Sequence, residues 1–186
     1  MTVSTQTPTW IFGYGSLMWN PGFPFITKQP ARLDGYRRRP CVSSVHYRGS
    51  LSSPGVVMGL DKSPDSCQGI GYQIAAQDFA NVIAYLDQRE LIYPVYRRVE
   101  RMIHLTDTDP QPVQAITYVV DRQDPLYIGD LDSACLVTRV AHAAGVSGTS
   151  RAYLSDVIDH LRALQIHDEG LEQLLAAVHQ ADPSCL

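Results

Sequence analysis

The sequence lacks most of the features that mark metal, disulfide and membrane proteins. Its four cysteines form no C-x-x-C pair, and its six histidines form no H-x-x-x-H or H-E-x-x-H pattern, which argues against a zinc site or a thioredoxin-type motif. No apolar run reaches the roughly 18 residues that span a bilayer. The polar segment 1–9 lacks the basic and apolar regions of a signal peptide and is predicted to be a flexible leader. We therefore expect a cytoplasmic protein with free thiols and no metal.

The charge balance excludes further classes of partner. With 15 Lys and Arg residues against 19 Asp and Glu residues, the net charge is −4, which argues against binding to nucleic acid or to an anionic membrane. The 186 residues are 45% hydrophobic, enough for one domain with a full core. We predict that this single domain covers residues 10–182, and the sequence leaves the oligomeric state open.

Hydrophobic periodicity predicts strands in the first two thirds of the chain and helices in the last third. Short apolar or β-branched runs predict strands at 10–14, 31–44, 55–60, 69–74, 97–105 and 113–120. A turn is predicted over Asp61–Asp65, which contains Ser63 and Pro64. Helical spacing predicts helices at 78–90, 133–144, 150–164 and 168–179. This order predicts an α+β fold with a mixed or antiparallel sheet that can close into a barrel, with helices at the C-terminal end.

A glycine loop, Gly13-Tyr14-Gly15-Ser16, follows the first apolar strand. Glycine lets a ligand touch the backbone, and successive N–H groups in such a loop form a concave anion site. A tight turn or bulge explains the same glycines without a ligand. The loop is not a P-loop, because no Gly-Lys-Ser/Thr follows, and it is not a complete G-x-G-x-x-G fingerprint.

Several short motifs extend this loop into a pattern that covers nearly the whole chain. They are Phe12-Gly-Tyr-Gly-Ser-Leu-Met-Trp-Asn-Pro21, Gly35-Tyr-Arg-Arg38, Tyr47-Arg-Gly49, Gly69-Ile-Gly-Tyr72, Tyr85-Leu-Asp-Gln-Arg-Glu90, Tyr127-Ile-Gly129, Ala144-Gly-Val-Ser-Gly-Thr149 and Asp168-Glu-Gly-Leu-Glu-Gln-Leu174. In their order and spacing they resemble the γ-glutamylcyclotransferases, specifically the ChaC family that acts on glutathione.

The resemblance implies a small mixed α/β barrel, a reaction and a set of site residues. In the implied reaction the α-amine of a γ-glutamyl group attacks its own γ-carbonyl, which releases 5-oxoproline and, from glutathione, Cys-Gly. Glu90 corresponds to the catalytic base, since an amine is nucleophilic only after losing a proton. The implied substrate-binding residues are Ile11, Phe12, Gly13, Tyr14, Gly15, Ser16 and Leu17, with Arg48 and Tyr127 as further candidates. No cofactor is implied, because the reaction is redox-neutral and needs no Lewis acid.

The residues themselves leave other interpretations open. Glu90 can also be an ordinary solvated glutamate at a helix C-terminus, paired with an arginine such as Arg89. Arg48 can be a surface arginine without a role in binding, and Tyr127 can be an aromatic residue of the core. The run Arg37-Arg38-Arg39 is predicted to be a solvated strand face. Two other functions also fit: cyclisation of other γ-glutamyl amines or metabolites, suggested by the unusual segment Leu91–Val95, and non-catalytic binding of γ-glutamyl compounds.

Overall fold

The computed structural model describes residues 9–106 and 112–181. The strands are β1 Trp10–Gly13, β2 Thr27–Ser44, β3 Gly55–Gln73, β4 Tyr96–Leu105, β5 Pro112–Val120, β6 Ala144–Gly145 and β7 Gly148–Thr149. The helices are α1 Phe79–Glu90, α2 Ser133–His142, α3 Ser150–Ala163 and α4 Glu169–Ala181, and a 3-10 helix covers Ser16–Met18. All four predicted helices are present within two residues of their expected ends. Apart from Thr9, the predicted leader lies outside the described residues.

Five strands close into a barrel in the order β1-β3-β2-β4-β5. β1 is antiparallel to β3, with Phe12 opposite Gly71, and parallel to β5, with Ile11 opposite Ile116. β2 and β4 are antiparallel neighbours. A sheet with both kinds of pairing confirms the predicted α+β fold with a mixed barrel.

The chain forms two compact units, which divide β2 after Arg37 and β3 after Asp61. The described part of the first unit comprises residues 9–37, 62–106 and 112–119, and that of the second comprises 38–61 and 120–181. The prediction of a single domain over residues 10–182 stays a prediction. The largest fully buried side chains of the first unit are Ile11, Phe12, Leu33, Tyr72, Ile74, Leu86, Ile103 and Tyr118, and those of the second are Leu60, Leu154, Ile158 and Leu161.

The predicted turn over Asp61–Asp65 is wrong, because β3 runs through it without interruption. Two of these turn-forming side chains form a hydrogen bond with each other while the backbone stays extended. The hydroxyl of Ser63 donates to the carboxylate of Asp65 at 2.6 Å, and Pro64 is exposed. Strong turn formers are therefore overridden here by strand pairing on both sides of them.

Asp61 is the centre of a buried polar cluster in the second unit. Its carboxylate accepts hydrogen bonds from Arg122 Nε at 2.7 Å, Arg39 Nη1 at 3.0 Å and the Tyr127 hydroxyl at 3.0 Å. Burial alone would raise the pKa of Asp61, but these three donors outweigh it and hold the pKa below its ordinary value. The side chain of Asp61 is 1% exposed although that of Arg122 is 52% exposed, so the buried carboxylate is paired with a guanidinium that water can still reach.

The same cluster corrects the interpretation of the arginine run. Only Arg37 is exposed as a solvated face requires; Arg38 retains 8% of its surface. Arg39 donates to Asp61 and, through Nη2, to the carbonyl of Gly129 at 2.6 Å. Arg39 points inward because it pairs with the buried carboxylate of Asp61 on the neighbouring strand, a contact that the local sequence does not indicate.

The second unit also contains Cys41 and the helices α2, α3 and α4, which pack against one another. Burial raises the pKa of the fully buried Cys41 thiol to about 12, and the charge of Asp61 adds to this effect. Ser150 joins the start of α3 to β3 by accepting a hydrogen bond from the Val56 N–H at 2.8 Å.

Candidate active site

The glycine loop leads from β1 into the 3-10 helix Ser16–Met18. A Cβ added at Gly13 would lie 2.8 Å from Cβ of Leu17. Glycine is therefore required at this position by the close approach of the following 3-10 helix. The Met18 N–H donates to the carbonyl of Gly15 at 2.9 Å. The N–H groups of Ser16 and Leu17, at the start of this turn, have no acceptor within the helix.

The buried side chains around the loop limit how it can meet a ligand. Ile11 and Phe12 are fully buried, and Tyr14 and Leu17 retain 7% and 5% of their surface. Contacts from Ile11 and Phe12 to a substrate would therefore be through main chain. The loop's directly usable polar groups are its N–H groups and the Ser16 hydroxyl, which fits a site that grips a carbonyl or carboxylate.

Tyr72 fastens the 3-10 helix to β3. Its hydroxyl donates to the carbonyl oxygens of Leu17 at 2.7 Å and Met18 at 3.1 Å. The ring is fully buried, and this burial raises the pKa of the phenol to about 12. The phenol is therefore always a donor at neutral pH. The motif Gly69-Ile-Gly-Tyr72 thus has a structural reason for its tyrosine that sequence reasoning did not provide.

We expect Tyr72→Phe to lower the free energy of unfolding by about 1–3 kcal/mol, because a buried carbonyl loses its donor. Since that carbonyl belongs to the loop, we also expect a lower catalytic rate. Urea unfolding and steady-state kinetics measure the two effects. Tyr36→Phe is the matched control, because it removes a buried tyrosine hydroxyl that bonds Arg101 on β4 at 2.9 Å. Equal rates for both variants would contradict a role for Tyr72 in placing the loop.

Glu90 is the last residue of α1, and its side chain is 19% exposed. Burial raises the pKa of its carboxyl, while the Arg89 guanidinium, with Nε 3.3 Å from Oε1, partly offsets this effect. Glu90 is therefore neither a fully solvated surface glutamate nor an inaccessible one. A half-buried carboxylate with a raised pKa is a stronger base than an ordinary glutamate and still has a solvent-accessible face.

Arg89 connects this carboxylate to the glycine loop. Its Nη2 donates to the Ser16 hydroxyl oxygen at 2.9 Å while its Nε lies beside Glu90. Glu90 and the turn after β1 are thus separated by a single guanidinium group. The expected pairing of Glu90 with Arg89 is present, and the arginine also contacts the loop that the resemblance implies for substrate.

Two more residues near Glu90 were missed by sequence reasoning. The hydroxyl of Tyr118 on β5 donates to Asp87 at 2.8 Å, and Arg98 on β4 forms an ion pair with the same carboxylate. Burial, then the bond to Asp87, raises the pKa of Tyr118, and the charge of Glu90 adds a smaller contribution. Asp87 therefore has a structural role and holds the last turn of α1 against two strands.

The candidates Arg48 and Tyr127 belong to the second unit. Arg48 lies over the ring of Tyr153, 5.2 Å from its centroid, and its backbone N–H donates to the Ser44 hydroxyl at 3.0 Å. The hydroxyl of Tyr127 donates to Asp61 and receives a long bond of 3.4 Å from Arg39. Both side chains thus have structural partners, and their substrate-binding roles stay predictions.

The described part of the chain contains neither a metal-binding cluster nor a membrane-spanning helix. Over residues 9–106 and 112–181, no three His, Cys, Asp or Glu side chains are grouped so that they could hold a metal ion. No helix in this part of the chain has the length and apolar character needed to cross a membrane.

Comparisons with known proteins identify the family of this chain. The family model described as "ChaC-like protein" matches residues 9–181. Rattus norvegicus glutathione-specific gamma-glutamylcyclotransferase 1 is 33% identical over 172 residues, which cover 91% of this chain and 78% of the relative. The Escherichia coli glutathione-specific gamma-glutamylcyclotransferase is 32% identical over 173 residues, 93% of this chain and 74% of the relative.

A solved structure matches the fold over its whole length. The yeast gamma-glutamyl cyclotransferase specific to glutathione superposes with a TM-score of 0.86, covers 96% of this chain and 99% of its own, and is 21% identical. At 21% identity this structure shows a shared fold, whereas the family model and the curated relatives show the family. The chain therefore belongs to the ChaC-like protein family.

Proposed function

We propose that this protein is a γ-glutamylcyclotransferase that acts on glutathione and releases 5-oxoproline and Cys-Gly. The observation that carries the proposal is the half-buried Glu90 carboxylate, one guanidinium away from the hydroxyl of Ser16 at the turn after β1. The names of the rat and Escherichia coli relatives support both the reaction and the substrate.

In the proposed mechanism the substrate's own amine is the nucleophile. Glu90 takes a proton from the α-ammonium group, and the freed amine attacks the γ-carbonyl carbon. A new C–N bond closes the five-membered lactam while the C–N bond to the cysteine residue breaks. Glu90 then returns this proton to the departing nitrogen. The new lactam nitrogen loses a second proton, which also ends on the departing amine, so Cys-Gly leaves with an ammonium group and no water, oxidant or cofactor is consumed. Because the nucleophile and the electrophile are in one molecule, the protein's main tasks are to bend the γ-glutamyl chain of the substrate and to transfer protons.

The glycine loop supplies the second half of the chemistry. The N–H groups at the start of the 3-10 helix and the Ser16 hydroxyl would hold the γ-carbonyl oxygen as it becomes negative, or the α-carboxylate. Preorganised donors of this kind are worth about 2.7–4 kcal/mol in a transition state. Ile11 to Leu17 remain candidates for contacts with the γ-glutamyl part of the substrate.

The test is an assay of the purified protein with glutathione, in which Cys-Gly and 5-oxoproline are quantified separately. We expect equimolar products, formed without added metal or nucleotide. A parallel panel of γ-glutamyl dipeptides and γ-glutamyl amines tests the substrate assignment. Faster turnover of another member would shift the substrate to that compound, and tight glutathione binding without product would indicate a non-catalytic binding protein.

We also place the protein in the cytoplasm. Cys41, Cys67 and Cys135 are free thiols, which fits a reducing compartment. Glutathione as substrate fits the same location.

A further inference from the structure

Arg89 makes more polar contacts than a helix-terminal arginine needs. Its side chain is 20% exposed. Besides its ion pair with Glu90, Arg89 donates hydrogen bonds to three groups in the segment 16–21, which are Ser16 Oγ at 2.9 Å, Asn20 O at 2.7 Å and Pro21 O at 3.2 Å. It also donates to the hydroxyl of Tyr85 on the same helix at 3.2 Å. An arginine in the last turn of a helix is favoured by the helix dipole alone. The helix dipole does not explain why the guanidinium group of Arg89 also donates to the segment 16–21, which lies 68–73 positions earlier in the chain.

The bond to Ser16 fixes what the serine hydroxyl can do. A guanidinium only donates, so the Ser16 oxygen acts as acceptor toward Arg89. The hydroxyl hydrogen then remains available to donate elsewhere, at the start of the same turn whose N–H groups have no helical acceptor. A positively charged donor on the oxygen also makes that hydrogen a stronger donor.

The contact with Glu90 acts on the other half of the chemistry. Burial raises the pKa of the Glu90 carboxyl and the Arg89 charge lowers it. Among the described residues, further charged or titratable groups near this corner are Tyr85 on α1, Tyr118 on β5 and the Asp87–Arg98 pair of α1 and β4. The Asp87–Arg98 pair is largely neutralised internally, so Arg89 is the principal cation available to Glu90.

We infer that Arg89 is a positioning residue for the cyclisation: one guanidinium holds the Ser16 turn beside the Glu90 carboxylate and places a positive charge next to that carboxylate. The inference rests on the proposed function. It assigns two separable effects to one side chain. The fork geometry places the loop, and the charge sets the protonation of the base.

Two substitutions separate these effects. Arg89→Lys keeps the charge but loses the planar fork, and Arg89→Gln removes the charge. We expect kcat to fall about 10²-fold in Arg89→Gln, the size typical of a misplaced reacting group, with a smaller change in KM. The acidic limb of the pH–rate profile should move to higher pH in Arg89→Gln, because Glu90 loses the cation that lowers its pKa. In Arg89→Lys the limb should stay near its wild-type position while kcat still falls.

Arg32→Gln is the matched control, since Arg32 is an exposed arginine on β2 that pairs with Asp34. It should leave both kcat and the pH profile unchanged. A double-mutant cycle with Ser16→Ala tests the link to the loop. Residues that act through one contact are non-additive, so the double variant should be little worse than the poorer single one. Wild-type kinetics in Arg89→Gln, or full additivity with Ser16→Ala, would overturn the inference.

Two further measurements do not depend on turnover. Acrylamide quenching of Trp19, which directly follows the 3-10 helix, should increase in both Arg89 variants, while Trp10, 8% exposed, serves as the internal reference. The ¹³C titration of the Glu90 carboxyl should move up in Arg89→Gln only. If the wild type forms no 5-oxoproline, the proposed function fails, and these two readings still decide whether Arg89 positions the loop and the carboxylate.

Discussion

Replacing Glu90 with glutamine is expected to slow the formation of 5-oxoproline by about 10²- to 10⁴-fold, the usual contribution of a general acid–base group. Glutamine keeps the shape of the side chain but cannot take the proton from the α-ammonium group. Calorimetry should show that glutathione still binds, because the glycine loop is untouched. The measurement is single-turnover formation of 5-oxoproline at saturating glutathione.

The same substitution should not destabilise the fold. The pKa of Glu90 is raised by burial, so its contribution to stability is fully present below the unfolded pKa and is lost as the pH rises through the folded pKa. Above the folded pKa the buried charge is therefore a stability cost. Glu90→Gln should unfold at a temperature equal to or above that of the wild type, as is common when an active-site charge is removed.

Glu100→Gln provides the matched control for both measurements. Glu100 is an exposed residue of β4 whose carboxylate accepts a hydrogen bond from Gln114 at 2.6 Å. The same change of charge there should leave turnover unaltered. Equal turnover in Glu90→Gln and wild type would remove Glu90 from the mechanism.

The second large effect concerns stability in the unit that contains Asp61. We expect Asp61→Asn to lower the free energy of unfolding by about 1–3 kcal/mol, because it removes the negative charge and one of the two acceptor oxygens that the arginine donors use. A fully buried pair would lose about 3–5 kcal/mol. The smaller figure applies since the side chains of Arg122 and Arg39 are 52% and 27% exposed and can be hydrated.

The pH dependence of this loss identifies its origin. The pKa of Asp61 is held below its ordinary value, so its stabilising contribution is fully present above the unfolded pKa and is lost as the pH falls through the folded pKa. Urea unfolding of wild type and variant should therefore differ most near pH 7 and converge well below roughly pH 4. Asp65→Asn, an exposed change on the same strand, should show no such convergence. A constant difference at all pH values would contradict the ionic explanation.

Much of the fold could be predicted from the sequence because its elements depend on local pattern. The helical spacing of Val82 and Leu86 predicts α1, and both side chains are buried. The apolar run that ends at Gly13 predicts β1. The motifs that place Glu90 and the glycine loop could be identified because each is contiguous in the chain.

What the sequence did not reveal depends on long-range pairing of polar groups. Asp61 in a Ser-Pro-rich segment indicates a turn locally, yet its partners Arg122 and Tyr127 are 61 and 66 positions away. Arg89 meets Ser16 across 73 positions, and Tyr72 meets Leu17 across 55. A single sequence contains no period or spacing that signals such contacts, because they are set only when the barrel strands come into register.

The deep burial of Cys41 has a consequence for how this protein tolerates oxidation. Disulfide exchange requires a thiolate, and a thiol with a pKa of about 12 is ionised in only about one molecule in 10⁵ at neutral pH. Cys41 would therefore resist mixed-disulfide formation, so strand β2 would keep its packing while more accessible thiols became modified.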